Sequence, residues 1–237
     1  MTPPAVAAFF DVDGTLTTGT TLFRFLEYRL AADGFPPSAY RGARQRLKAM
    51  TAVGVPRAVT NRAYFENYAD LTEARVAAVA EDWFRAELRQ GGFFNPAAVA
   101  AFRSHATAGD LTVLVSGSFP ACLAPIARYL GADLVLCSQP EIRDGRYTGA
   151  VHAPMIGAEK ASAVRRLVAE RAVSAAHSWA YGDHDSDLPL LELVGFPVVV
   201  GDEDRVLADR AARLGWRRLP GAAVPPPALP PYEPAEG

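Results

Sequence analysis

Five short apolar runs, separated by helix-like stretches, constrain this chain more than any other feature. They cover residues 5–10 (AVAAFF), 111–115 (LTVLV), 132–137 (ADLVLC), 178–181 (SWAY) and 196–200 (FPVVV). Short runs without polar alternation fit strands buried on both faces, the environment of a parallel sheet covered by helices. Each gives way to small, acidic or glycine residues and then to apolar spacing of helical period. Strands alternating with helices predict an α/β fold, a Rossmann-like parallel sheet with helices on both faces.

Between the first and second runs the strand pattern lapses. Residues 22–32, 38–53, 60–68, 72–89 and 96–107 read as helices, punctuated by Gly34–Phe35–Pro36–Pro37, Gly54–Val55–Pro56 and Gly91–Gly92. The expected organisation is a discontinuous core, residues 1–17 and 108–222, with an all-helical cap inserted at 18–107. Arg143–Asp144–Gly145–Arg146 predicts the tight turn of a small hairpin, and residues 223–237 a loose proline-rich tail.

Composition narrows the function classes. With 237 residues, half of them apolar and 21% charged, the chain can bury a sizeable core. A net charge of −2 argues against a nucleic-acid partner, and the arginine-bearing stretches 41–46 and 165–166 read as solvated helix faces. No apolar run approaches the ~20 residues of a membrane span, so no membrane partner is expected. No basic segment followed by an apolar one opens the chain, and Cys122 and Cys137 lack CxxC spacing. Two buried, reduced thiols and a cytoplasmic setting are the expectation, with monomer and homodimer both open.

In an open parallel sheet, ligands bind at the carboxyl ends of the strands. After the first run come Asp11 and Asp13, which face the same way while the chain stays extended. After the second come Ser116–Gly117–Ser118, then Phe119–Pro120 opening a helix whose free N–H groups suit an anion. After the 178–181 run comes Gly182–Asp183–His184–Asp185–Ser186–Asp187, and ahead of it Gly157–Ala158–Glu159–Lys160 begins a helix. Taken singly, these are a common Asp–Gly turn, a helix cap and a surface lysine. Taken together, carboxylates from two strand ends, a hydroxyl from a third and a lysine compose a site for Mg²⁺ and phosphate.

The order DVDGT, VSGS, K, GDHDSD resembles the four motifs of the haloacid dehalogenase superfamily of phosphotransferases. The insertion between the first two motifs, and DGRYTG before the lysine, are similar to the phosphoserine phosphatase-like branch. The resemblance implies a phosphatase that hydrolyses a small phosphomonoester metabolite through an aspartyl-phosphate. Asp11 would be the nucleophile and Asp13 the acid and then the base. Mg²⁺ would be held by the Asp11 carboxylate, the Asp13 backbone carbonyl and Asp183. Ser116 and N–H groups near Gly117 would hold the phosphoryl oxygens, and Lys160 would neutralise charge. Asp187 would orient Lys160 or a water of the metal, and Thr15 would support the turn or a phosphoryl oxygen.

The match to phosphoserine phosphatase fails where that enzyme carries a glutamate for the substrate's ammonium group. Thr20 falls there and supplies no counter-charge, so phosphoserine is not the expected substrate; Glu27 is a more distant substitute. Ser186 stands where that enzyme has asparagine. Specificity is then expected from the insertion, with Thr20, Arg24 and Tyr28 as candidate pocket residues. Arg57, Arg62, Tyr64, Phe65, Phe93 and Phe94 are further candidates, although the aromatics at helical spacing also read as the insertion's own core. Alternative readings are a phosphotransferase with an alcohol acceptor and a phospho-accepting signalling module; the latter has no need of Asp13 or of the insertion.

Overall fold

The computed structural model describes residues 5–222; the proline-rich stretch 223–237 lies outside the described residues. Its centre is a six-stranded sheet of β1 (Ala7–Phe10), β2 (Leu111–Ser116), β3 (Leu134–Cys137), β6 (Trp179–Gly182), β7 (Phe196–Val200) and β8 (Arg217–Leu219). The spatial order is β3-β2-β1-β6-β7-β8, with every pair parallel. The all-parallel, helix-covered Rossmann-like sheet is therefore as expected. The edge strand β8 was not expected: its three residues are Arg–Arg–Leu, and a sheet edge needs no apolar run. A separate hairpin joins β4 (Pro140–Arg143) to β5 (Arg146–Val151). Its turn residues Asp144 and Gly145 both have positive φ, +49° and +71°, as a two-residue primed turn requires.

All four residues of β1 are fully buried, and their alternation assigns them to two cores. Ala7 and Phe9 face a layer built from α7 (Ala158–Glu170), α8 (Leu188–Leu191) and α9 (Arg205–Leu214) through Val164, Leu190 and Leu207. Ala8 and Phe10 face the opposite layer, α5 (Pro96–Ala108) and α6 (Pro120–Leu130). Phe102 of α5 lies 5.2 Å from Phe10, ring to ring, and His105 Nε2 lies 2.8 Å from the Tyr181 hydroxyl. Within the 18–107 segment, α5 thus packs on the sheet.

The other inserted helices are α1 (Thr21–Ala32), α2 (Pro37–Ala52), α3 (Arg57–Phe65) and α4 (Glu73–Gln90). They gather around an aromatic cluster of Phe25, Tyr64, Phe65, Tyr68 and Trp83, with Phe119 reaching in from the start of α6. Phe119 contacts four of those five rings and so links the insertion to the β2–α6 connection. That connection carries Ser116 and Gly117, so the packing of the insertion bears directly on the strand ends. Cys122 and Cys137 are buried free thiols, and among the described residues no helix is long and apolar enough to cross a membrane.

Candidate active site at the strand ends

The ladder extends one residue past β1, where Asp11 N–H donates to the Tyr181 carbonyl at 2.9 Å. The chain then folds into a tight loop closed by Thr17 N–H on Val12 O (2.9 Å) and Gly14 N–H on Thr17 O (3.1 Å). Gly14 sits at φ +92°, and a Cβ there would lie 2.2 Å from Asp183 Oδ2, so only glycine lets this loop pass the acidic side chain.

Lys160, in the first turn of α7, crosses to the strand ends. Its ammonium donates to Asp11 Oδ1 at 2.5 Å and to Asp187 Oδ1 at 2.7 Å, with all three residues buried. Thr15 donates its hydroxyl to Asp183 Oδ1 at 2.8 Å. Oxygens of Asp11, Asp183 and Asp187 all lie within 4.8 Å of one another.

Electrostatics follow from that geometry. Burial pushes Asp11 well above the usual carboxylate range; Asp187, Asp183 and Asp13 add to the shift and Lys160 opposes it. Burial and Asp187 lift Asp183 to about 6 against the hydrogen bonds from Thr15 and Asp11. Burial disfavours charge on Lys160, but Asp11 and Asp187 outweigh it and hold the ammonium above its ordinary range. Three carboxylates thus share one cation, which leaves the buried cluster short of positive charge. Oxygen donors at this spacing fit a hard divalent ion such as Mg²⁺.

Asp13 has different company. Its Oδ1 accepts the backbone N–H of Thr21, the first residue of α1, at 2.8 Å. Burial raises its pKa, while the Thr21 bonds, Lys160 and Arg57 oppose the rise. Thr21 also donates its hydroxyl to Ser118 at 3.0 Å, linking Asp13 to the loop after β2. In that loop Ser116 Oγ accepts the Ser118 N–H at 3.0 Å. No local sequence pattern marks Thr21, because its partners Asp13 and Ser118 lie 8 and 97 residues away in the chain.

The expected pocket residues fare unevenly. Thr20 is the exposed N-cap of α1 and makes no side-chain capping bond. Arg24 is engaged by Glu87: Nε donates to Oε1 at 2.9 Å, Nη2 donates to Oε2, and its guanidinium lies 5.1 Å from the Phe93 ring centre. Tyr28 is half-buried against the larger core. Tyr64, Phe65 and Phe93 are core residues, and Phe94 stacks on Tyr129. Arg57 does reach the strand ends, donating from Nη1 to Ser186 Oγ at 3.2 Å. His184, beside that loop, is turned to Asp185 (2.6 Å) and is partly exposed.

A Rossmann-like sheet with a buried acid–lysine cluster at its carboxyl edge has the form of an α/β enzyme, a fold in which ligands bind at the strand ends. The chain belongs to the haloacid dehalogenase-like hydrolases, whose family model matches residues 8–192. An "inhibition of morphological differentiation protein" of Streptomyces azureus is 29% identical over 255 residues, covering 95% of this chain and 87% of that one. A phosphoserine phosphatase of Mycobacterium tuberculosis is 29% identical over 223 residues, covering 89% of this chain and 69% of that one. The crystal structure of a protein of unknown function from Bordetella pertussis matches with a TM-score of 0.81 and 28% identity, covering 91% of this chain and 98% of that one.

Metal-free protein is expected to lose stability as pH rises from about 4 through about 6. Asp183 holds its proton more tightly folded (about 6) than unfolded (3.8), so the folded state binds the extra proton in that window. Thermal melts in EDTA across pH 4.5–8 measure this, and Mg²⁺ should raise the melting temperature more at pH 8 than at pH 5. A Mg²⁺ effect independent of pH would contradict the charge balance described.

Proposed function

We propose that the protein is a Mg²⁺-dependent phosphatase that hydrolyses a small phosphomonoester through an aspartyl-phosphate on Asp11. The observation that carries this reading is the unequal setting of the two acids that follow β1. Asp11 is bonded to the Lys160 ammonium, and Asp13 to a helix N–H. A nucleophile needs a cation beside it to approach an anionic ester, whereas Asp13 takes its hydrogen bond from a helix N–H and feels Lys160 only at longer range, as an acid–base group can.

Lys160 fixes one oxygen of Asp11, and the other attacks phosphorus in line. The bond to the leaving oxygen breaks as Asp13, whose pKa burial raises, delivers the proton. Asp13, now a carboxylate, takes a proton from water as that water attacks the phosphorus of the acyl phosphate, releasing phosphate and restoring Asp11. Mg²⁺, held by Asp11, Asp183 and the Asp13 carbonyl, would supply charge neutralisation between nucleophile and ester. Ser116 and the N–H groups around Gly117 bind the phosphoryl oxygens, and Asp187 and Thr15 orient Lys160 and Asp183. Helices α1–α4 act as the cap that excludes water and selects the substrate.

The substrate is a small phosphorylated metabolite other than phosphoserine. Thr20 offers no charge for an ammonium group, and the Arg24 guanidinium is committed to Glu87. Glu27 lies on an exposed face beside Arg44.

With p-nitrophenyl phosphate, hydrolysis should require Mg²⁺ and stop in EDTA. Asp11→Asn should lower kcat by about a thousandfold or more, since it removes the nucleophile. Full activity in that variant would sink the mechanism. In a panel of phosphorylated amino-alcohols, sugars, nucleotides and lipid head groups, phosphoserine should not give the highest kcat/KM. A highest value for phosphoserine would show that Thr20 does not exclude an ammonium-bearing substrate.

A further inference from the structure

The carbonyl oxygen of Gly117 is held by two side chains from distant parts of the chain. Asn61, on α3, donates from Nδ2 at 3.0 Å, and Ser138, just after β3, donates from Oγ at 2.9 Å. Both residues are buried, Ser138 completely. Ser138 is fixed in turn, its Oγ accepting the Met155 N–H at 2.9 Å and its own N–H donating to Ser118 O at 3.0 Å. With both donors in place, the carbonyl cannot turn without leaving buried polar groups unpaired.

The direction of that carbonyl decides what the loop offers a ligand. The peptide between Gly117 and Ser118 is trans, so the Ser118 N–H points the opposite way, and it meets Ser116 Oγ at 3.0 Å. Ser116 therefore accepts from its own loop and keeps its hydroxyl proton for an acceptor in front of it. Were the peptide to rotate, the carbonyl oxygen would face the same hydroxyl, capture its proton and turn negative charge toward a phosphoryl group.

We infer that Asn61 is a positioning residue, whose bond to the Gly117 carbonyl holds the 116–118 loop in its proton-donating orientation. The inference rests on the reading of that loop as the phosphate cradle and extends it to a residue of the insertion that acts through the loop. Because Asn61 stands on α3, the cradle is complete only when that helix is seated on the core.

Inorganic phosphate is the probe, as a competitive inhibitor of p-nitrophenyl phosphate hydrolysis by the full chain. Asn61→Ala should raise both the phosphate inhibition constant and KM about tenfold, the scale of one lost buried hydrogen bond. Asn61→Asp, of equal size but setting an acceptor against an acceptor, should raise them further, and Asn61→Gln should recover part of the loss. The Mg²⁺ concentration for half-maximal activity should stay unchanged, which a general loosening of the site would not allow. If Asn61→Ala does not fold, the ratio of inhibition constants between Asn61→Asp and Asn61→Gln carries the test. Ser116→Ala serves as the control for the cradle itself. Weakened phosphate binding in Ser116→Ala, with folded Asn61 variants within twofold of wild type, overturns the inference alone. No effect in any of these variants overturns the cradle reading and the inference with it.

Discussion

A single buried ammonium holds the strand ends together. Lys160 reaches from α7 to Asp11 after β1 and to Asp187 after β6, joining three segments that are far apart in the chain. Removing one partner of such a buried pair typically costs about 3–5 kcal/mol, because the other charges are left uncompensated. Yet the lysine is outnumbered: Asp183 completes a cluster of three carboxylates within 4.8 Å. Close packing of like charge around one cation is unfavourable by itself and becomes favourable once a divalent ion joins. Without such an ion, the excess negative charge of the cluster would repel any anion brought to the strand ends.

The parallel sheet makes that concentration of charge possible. Both faces of β1 are buried, so the strand can run without polar relief from Ala7 to Phe10 and release its acids only at the end. Strands β2 and β6 flank it in parallel, and their carboxyl ends bring Ser116 and Asp183 to the same edge. Gly14 then lets the chain leave past Asp183, and Thr15 returns to that carboxylate.

Asp11, Asp13, Ser116 and Asp183 are legible in the sequence because each lies within a few residues of a buried strand, and buried strands announce themselves. Contacts between remote segments are not legible in the same way. Arg24 looks like a free cation until Glu87, 63 residues later, is seen beside it. Asn61 looks like an ordinary helix polar residue until the Gly117 carbonyl is placed against it. Edge strand β8, rich in arginine, lacks the apolar signature altogether. Four segments carry recognisable polar groups toward the strand ends, whereas the insertion distributes its polar groups by packing, which no local pattern records.

If Asp11 attacks and Asp13 moves the proton, as proposed, a covalent intermediate on Asp11 is the most direct consequence. After rapid mixing of full-length enzyme, Mg²⁺ and p-nitrophenyl phosphate, borohydride reduction should convert a phosphorylated aspartate to homoserine. Peptide mass mapping should place the change at Asp11 and leave Asp13 unmodified. Reduction at Asp13, or turnover with no reducible aspartate at all, would contradict the account.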